Sequence, residues 1–406
     1  MPCDGSRVFG HPAFGCAKRG RDGLFQPREG EARVWRSHLQ RAAGRGDRED
    51  GGMGEDVESC TAAKTFWSYR GAEKSAAQLG ETGVIRDCVF MNALESEMEL
   101  LTRYRKIASI PDFIFDRTID DKDKNSLCRR WLYAWEKQNL EQLRSSTFQS
   151  SKWRGEVTLL IHSFQPDETM FFVNEFPILH TWKMLGSLPV VIITDKETEP
   201  MARLKRRYPN DVTICQSDFL KRGETLSLSQ DCLCGLDKYF NTKYCLVIQD
   251  DGFPIRNNLD DFLGRWDYIG APCVKDYPRQ YLADILLRDC LNGGFSLRTH
   301  NLCAATVKAW RSWGHVVRKY LGWTISEDWF YSTYSRYNPI HRLRFRFPWA
   351  TQARRFSVMD MIGGIDIRKF KNIPFGVHGP TTVFLYKHVL EELGYTSLTL
   401  HDLLRG

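Results

Sequence analysis

Short apolar runs alternate with helical patterns between residues 156 and 251. The runs VTLLIHSF, LPVVIITD, VTICQSD and YCLVIQDD have the β-branched, nearly continuous apolar character of buried strands. NEFPILHTWKML and EPMARLKRRYP, which lie between the first three, carry apolar residues at helical spacing. This alternation predicts an α/β fold, with a mostly parallel sheet and helices on both faces.

The segments outside this alternation have different patterns. Residues 1–85 are rich in Gly, Arg, Asp and Glu without an apolar period, which predicts a disordered tail. Residues 91–107 and about 122–145 have helical spacing, and Trp131 and Trp135, one turn apart, favour core packing. We therefore divide the chain into a tail (1–85), a helical extension (86–150), the main domain (151–385) and a C-terminal helix or tail (386–406).

Composition narrows the class of protein only slightly. The 406 residues are 42% hydrophobic, which suits a globular core, and the net charge of +7 fits nucleic acid, an anionic membrane or a phosphorylated substrate equally well. The 12 cysteines are scattered, and Cys232 and Cys234 have no partners at metal-ligand spacing, which favours reduced thiols.

The chain lacks an Asn-x-Ser/Thr acceptor, an apolar run of membrane-spanning length and, in MPCDGSRVFG, the pattern of a signal peptide. We therefore predict a cytoplasmic protein without a membrane span, and leave association with the Golgi open.

Acidic residues follow three of the predicted strands: Asp195, Asp218 and the pair Asp250 and Asp251. Ligands of such sheets bind beyond the carboxyl ends of the strands, and paired carboxylates there suit Mg²⁺ or Mn²⁺ bridging to phosphate. The alternative for QDDG is an ordinary Asp-Gly turn. The glycine-rich dinucleotide fingerprint, the P-loop and the HExxH helix are absent.

Three later motifs also allow two interpretations. In LNGGFSLR, Gly293 and Gly294 form either a hairpin turn or a place where backbone approaches a ligand closely. In TISEDWFYS, Glu327 and Asp328 are either first-turn acids of a helix or a carboxylate that accepts a proton from a substrate hydroxyl. In PFGVHGP, His378 is either a solvated loop residue or a ligand of Mn²⁺.

The order of QDDG, NGGF, SED and a late histidine resembles the GT-A-fold glycosyltransferases that use nucleotide sugars. More closely, DYIGAPC, NGGFSLRT, EDWFYS and ARRFSVMD resemble a poorly characterised domain family grouped with those enzymes, over about residues 155–380. The resemblance implies a GT-A-like, Rossmann-type mixed sheet flanked by helices, and it says nothing about the N-terminal third of the chain. For that third the residue pattern predicts a disordered region and a helical appendage.

The resemblance also implies site residues. Asp251 and His378 would hold the Mn²⁺ or Mg²⁺, although Gln249 replaces the first carboxylate of a strict DxD motif. Asp328, with Glu327 beside it, would be the catalytic base of an inverting enzyme. Residues that would contact donor or acceptor are Asp195, Asp250, Asn292, Gly293, Gly294 and Arg298. Asp360 stands where the closer family carries a glutamate.

The partners implied are a nucleoside-diphosphate sugar as donor and a hydroxyl acceptor of unknown class, a glycan, a protein or a small molecule. No nucleic-acid partner is expected. One alternative is a catalytically inactive scaffold of the same fold, which Gln249 favours. Another is a nucleic-acid-binding protein, for which HRLRFRFPWATQARRF (341–356) supplies basic and aromatic residues but which leaves the acidic strand ends unexplained.

Overall fold

The computed structural model describes residues 98–405, except 111, 117, 166–167, 223, 273–289, 322–325 and 360–371. These residues belong to one of two units of the chain, Ser68–Gly406. The other unit, Met1–Trp67, lies outside the described residues, as do the predicted disordered tail (1–85) and residues 91–97 of the first predicted helix.

A six-stranded sheet forms the centre of the fold, in the order β3-β2-β1-β4-β7-β6. The strands β1 to β4 are parallel, whereas β7 runs antiparallel to both β4 and β6. Because all seven residues of β1 and all five of β2 and of β4 are buried, both faces of these strands are covered. The bounds are Val157–Ser163 (β1), Val190–Thr194 (β2), Val212–Gln216 (β3), Tyr244–Ile248 (β4), Gly252–Pro254 (β5), Tyr268–Pro272 (β6), Leu291–Thr299 (β7), Ser357–Met359 (β8) and Gly376–His378 (β9).

Helices flank this sheet, so the predicted α/β class, a mixed sheet with flanking helices, is confirmed. Their bounds are Asp121–Arg144 (α1), Phe172–Leu185 (α2), Glu199–Arg207 (α3), Thr225–Gly235 (α4), His300–Leu321 (α5), Ser335–Tyr337 (α6), Pro339–Arg344 (α7), Ala350–Phe356 (α8), Pro380–Leu385 (α9), Lys387–Glu392 (α10) and Leu400–Arg405 (α11). Residues 98–108 are also helical, and Trp329–Tyr334 form a π-helical turn. No helix within the described ranges is long and apolar enough to cross a membrane.

A second sheet of three short strands, β5-β9-β8, lies beyond the tip of β4. β9 pairs antiparallel with β5 and parallel with β8. This pairing sets His378 opposite Gly252, directly after the acidic pair. A residue 126 positions later in the sequence thereby reaches the end of β4.

Helix α1 is part of the main hydrophobic core. Trp131 and Trp135 stack at 5.8 Å between ring centroids and are each 1% exposed, as the one-turn spacing predicted. Their indole N–H groups donate to the backbone carbonyls of Leu398 and Thr396, at 2.7 and 3.0 Å. These bonds tie the helical extension to the C-terminal segment, so α1 has a fixed position on the main domain.

Candidate active site

The acidic pair forms a tight turn at the tip of β4. Gln249 N–H donates to the Gly252 carbonyl at 3.0 Å, and Gly252 N–H donates to the Gln249 carbonyl at 3.1 Å. Asp250 and Asp251 are the two central residues of this turn. The turn interpretation of QDDG and its interpretation as a carboxylate pair at a strand end are therefore compatible.

The two glycines of β7 lie beside this turn. Since β7 runs antiparallel to β4, with Val247 opposite Ser296, its first residues extend past the carboxyl end of β4. A Cβ on Gly294 would collide with Gln249 Oε1 and His378 Nε2. A Cβ on Gly293 would lie 2.5 Å from Asp328 Oδ1 and 2.7 Å from Glu327 Oε1.

The glycines therefore serve close approach, since neither is among the glycines with positive φ. They also join two groups of side chains. Gly294 contacts the group that ends β4, and Gly293 contacts the carboxyl pair at 327 and 328. The four motifs found in sequence order thus meet at one place.

Glu327 and Asp328 form a coupled carboxyl pair. Glu327 is 5% exposed and accepts a hydrogen bond from the Ser229 hydroxyl at 2.7 Å, whereas Asp328 is partly exposed. Burial, and then the charge of Glu327, raise the pKa of Asp328 well above its usual range. Burial opposes ionisation of Glu327, but the hydrogen bond with Asp328, the nearby Arg298 and Ser229 together lower its pKa.

Ionisation is therefore favoured at the buried Glu327 and disfavoured at Asp328. Asp328 reaches toward solvent and Glu327 does not. Of the two, Asp328 is the carboxyl that a substrate hydroxyl can contact.

His378 faces the other side of the glycine pair. Its Nε2 lies 3.2 Å from Gln249 Oε1 and 3.4 Å from Asp251 Oδ1. Both partners are oxygen atoms, so Nε2 is placed to donate a hydrogen bond to them. Nδ1 is buried without a hydrogen-bond partner among the described residues.

Helix α1 supplies three further side chains, at one-turn spacing along one face: Arg129, Tyr133 and Glu136. Arg129 Nη1 and Nη2 lie 3.2 and 3.0 Å from carboxylate oxygens of Asp250 and Asp251. The Tyr133 hydroxyl donates to Asp250 at 2.9 Å. Glu136 is fully buried, and its two oxygens have no hydrogen-bond partner within the described ranges.

The contacts of this cluster do not fit a divalent cation. Asp250 and Asp251 are both paired with the Arg129 guanidinium, and His378 uses Nε2 as a donor. In the part of the chain that the structure describes, no group of three or more His, Cys, Asp or Glu side chains is placed to hold a metal ion. The Mn²⁺ or Mg²⁺ at Asp251 and His378 stays a prediction from the sequence.

The other predicted site residues have mostly internal partners. Arg298 is 1% exposed, donates to the Gly293 carbonyl at 3.1 Å and lies 3.9 Å from Glu327 Oε1, so it supports the site from beneath. The Asn292 side chain accepts from the Gly294 N–H at 2.7 Å and so helps to fix the backbone of the glycine pair in β7. Asp195 follows β2 and pairs with Arg222 at 3.1 Å. Asp360 lies outside the described residues.

Helix α4, which carries Ser229, is held by a buried polar network. Asp231 pairs with His162 of β1 at 3.0 Å and accepts from the Tyr239 hydroxyl at 2.7 Å and from the Ser217 hydroxyl. Burial opposes ionisation of Asp231, but these hydrogen bonds, that of His162 foremost, lower its pKa. An ionised anchor here fixes the helix from which Ser229 reaches Glu327.

Sequence reasoning missed Arg129, Tyr133, Glu136 and Ser229. The first three have a weak signal in the sequence, since they stand at positions i, i+4 and i+7 of a helix whose other buried positions are mostly apolar. Ser229 has no signal, because its role depends on a contact with a residue 98 positions later.

A protein-family model described as "Protein of unknown function (DUF5672)" matches residues 236–378. The matched segment contains the acidic pair, the glycine pair, Glu327, Asp328 and His378, but not α1 with Arg129. A search of curated proteins finds no match to this chain.

Parts of the chain are similar to solved structures of glycosyltransferases. The mannosyltransferase PcManGT from Pyrobaculum calidifontis, in complex with GDP-Man and Mn²⁺, is 11% identical over 45% of this chain and 58% of its own, with a TM-score of 0.26. The apo form of the glycosyltransferase GlyE of Streptococcus pneumoniae TIGR4 is 11% identical over 62% of both chains, with a TM-score of 0.36.

The mannosyltransferase Ktr4p from S. cerevisiae is 10% identical over 58% of this chain and 80% of its own, with a TM-score of 0.33. The chain thus spans about three fifths of the length of the first two structures. At these identities and scores, the similarities assign no substrate and no activity to this chain.

Proposed function

We propose that this protein is a glycosyltransferase that moves a sugar from a nucleoside-diphosphate sugar to a hydroxyl acceptor with inversion. The observation that carries the proposal is the meeting of the four motifs around Gly293 and Gly294. A carboxyl pair lies against one glycine, and the β4 tip with His378 lies against the other. Glycosyl transfer needs two such groups, one at the acceptor hydroxyl and one at the leaving diphosphate.

In the proposed reaction the acceptor oxygen forms a bond to the anomeric carbon as the bond between that carbon and the diphosphate oxygen breaks. The leaving nucleoside diphosphate keeps the electron pair, and the hydroxyl proton passes to Asp328. Because its pKa is raised, Asp328 in its ionised form is a stronger base for this proton. Glu327, held by Ser229, positions Asp328 and adds to the effect of burial on its pKa.

On the donor side, the β4 tip and the glycine pair of β7 offer places for the nucleotide and the sugar. Asp250, on the turn after β4, and Asp195, at the end of β2, are proposed to contact the donor. The similarity of the motifs and their order to those of GT-A glycosyltransferases supports the assignment of the two sides. The cytoplasmic location stays a prediction from the sequence.

A donor panel tests this proposal. We expect at least one UDP- or GDP-sugar to raise the melting temperature of the full chain, because a ligand of the folded state stabilises it. Donor consumption, followed by release of UDP or GDP, should fall at least about a hundredfold in Asp328→Asn while the melting shift is kept. Asp121→Asn, in the first turn of α1 on the surface, is the matched control.

Different outcomes separate this proposal from its alternatives. If no nucleotide sugar or nucleotide changes the melting temperature, the donor site does not exist and the proposal fails. Binding without turnover in the presence of a broad acceptor mixture would instead favour the inactive scaffold. Wild-type turnover in Asp328→Asn would show that Asp328 is not the catalytic base.

A further inference from the structure

The acidic pair at the tip of β4 already has a cation within the chain. Arg129 lies 121 and 122 positions before Asp250 and Asp251, and its guanidinium bridges both carboxylates. We propose that Arg129 is the resident cation of this site and takes the place that the sequence assigns to a divalent metal ion.

The position of Arg129 is fixed by the helix that carries it. Leu127, Cys128, Trp131 and Leu132 are 1% exposed or less, so the backbone on either side of Arg129 is held by the core. The Tyr133 hydroxyl lies 3.2 Å from Arg129 Nη1 and also contacts Asp250. A guanidinium held in this way loses little conformational freedom when it pairs, and it never leaves the site by diffusion.

The number of acidic groups around Arg129 also indicates a cation site. Glu136 is fully buried one turn beyond Tyr133, without a hydrogen-bond partner for either oxygen among the described residues. Burial, and then the charges of Asp250 and Asp251, raise the pKa of Glu136 well above its usual range. Without Arg129, the carboxylates of Asp250 and Asp251 would lose the cation that both of them contact.

Two other residues that could bind a metal ion here, Gln249 and His378, contact each other. The Gln249 amide stands where a third carboxylate would be, and its Oε1 accepts the proton of His378 Nε2. A divalent ion would therefore have to displace Arg129 from two carboxylates and separate His378 Nε2 from Gln249 Oε1. Arg129 and a metal ion should compete for the same oxygens.

The Arg129 side chain is 37% exposed, so it can face a ligand while it pairs with the acidic turn. If the proposed function holds, this guanidinium is the positive group nearest the leaving diphosphate, where its planar N–H groups suit phosphate oxygens. That consequence rests on the proposed function. The competition between Arg129 and a metal ion does not.

Titration of the full chain with Mn²⁺ alone tests the competition. We expect Arg129→Gln to bind Mn²⁺ at least about tenfold more tightly than the wild type, because the freed carboxylates gain a ligand. Arg130→Gln is the matched control, since its guanidinium lies over the Tyr104 ring and away from the turn. Arg129→Gln with Asp251→Asn should lose the gain.

Equal Mn²⁺ affinities for Arg129→Gln and the wild type would overturn the proposal. If Arg129→Gln does not fold, the affinity of the wild type for Mn²⁺ still tests the proposal. Micromolar binding of Mn²⁺ that Asp251→Asn abolishes would mean that the metal displaces Arg129 readily, whereas millimolar or weaker binding would support a resident guanidinium.

A measurement of nucleotide binding tests this inference separately from the proposed function. The melting shift caused by UDP or GDP should be the same in EDTA and in Mn²⁺, and it should shrink in Arg129→Gln. A shift that requires Mn²⁺ would overturn the resident cation but keep the donor site. If UDP and GDP cause no melting shift in either condition, the proposed donor site is wrong. The Mn²⁺ titration would still test the role of Arg129.

Discussion

At the scale of single residues, the Glu327–Asp328 pair shows how position divides two adjacent carboxyls into different roles. Glu327 is buried and receives the Ser229 hydroxyl, whereas Asp328 is partly exposed. Burial first, and then the charge of Glu327, raise the pKa of Asp328 well above its usual range. The sequence placed both residues at the start of a helix, which alone would give them only a capping or dipole role.

This coupling gives a pH prediction. Asp328 accepts a proton only when ionised, so transfer should rise as pH increases through its raised pKa. Glu327→Gln removes the neighbouring charge, lowers that pKa and should move the acid limb of kcat/KM to lower pH. The exposed Glu392→Gln is the control and should leave the limb in place. A shift to higher pH in Glu327→Gln would show that Glu327 is not the source of the raised pKa.

At the scale of elements, strand pairing brings the motifs together. The antiparallel pairing of β4 with β7 carries the glycine pair past the β4 tip, and the pairing of β5 with β9 delivers His378. Gly270 of β6 has a role in this arrangement, since a Cβ there would collide with the backbone carbonyl of Asn292. The glycine of the DYIGAPC motif therefore allows β6 to lie against the start of β7.

We expect Gly270→Ala to cost about 1 to 3 kcal/mol of unfolding free energy, because a backbone carbonyl cannot move aside cheaply. The shift of Asn292 should also weaken donor binding, although Gly270 contacts no proposed ligand. Urea unfolding measures the first effect and the donor melting shift the second. Gly155→Ala is the matched control, since a Cβ at Gly155 meets nothing within 4 Å. Equal stability of both variants would mean that the β6–β7 contact is looser than described.

At the scale of the whole molecule, the helical extension is built into both the core and the site. Its α1 contributes Trp131 and Trp135 to the main core, and Arg129 to the acidic turn. Within the described residues, the core clusters begin at Tyr104. The family model, which starts at residue 236, covers neither contribution.

Two truncations test separately whether the tail and the helical extension are needed for folding. Deletion of residues 1–85 should leave a single cooperative unfolding transition, because the tail has too little apolar sequence to form a core. Deletion of residues 1–145 should abolish the cooperative transition or cause aggregation, since it exposes the apolar surface that both tryptophans cover. Thermal unfolding followed by circular dichroism measures both. Cooperative unfolding of the shorter chain would show that the extension is dispensable for the core.

The amino-acid sequence by itself determined the elements and the order of the motifs. The strands β1 to β4, the helices α2 and α3 and the stacked pair Trp131 and Trp135 follow from local apolar periodicity, because burial requires apolar residues at the period of each element. The acidic pair was recognisable because it follows a predicted strand, whereas the glycine pair was recognisable only as two adjacent glycines between apolar residues.

Only the tertiary structure decided which side chains meet. Arg129 pairs with Asp251, Ser229 with Glu327 and Gln249 with His378 across roughly a hundred residues or more. A charged residue on a helix has the same local pattern whether it faces solvent or a carboxylate pair, so periodicity could not reveal the cation at the β4 tip. Its position depends on how α1 packs on the sheet, which the summed burial of the whole core determines.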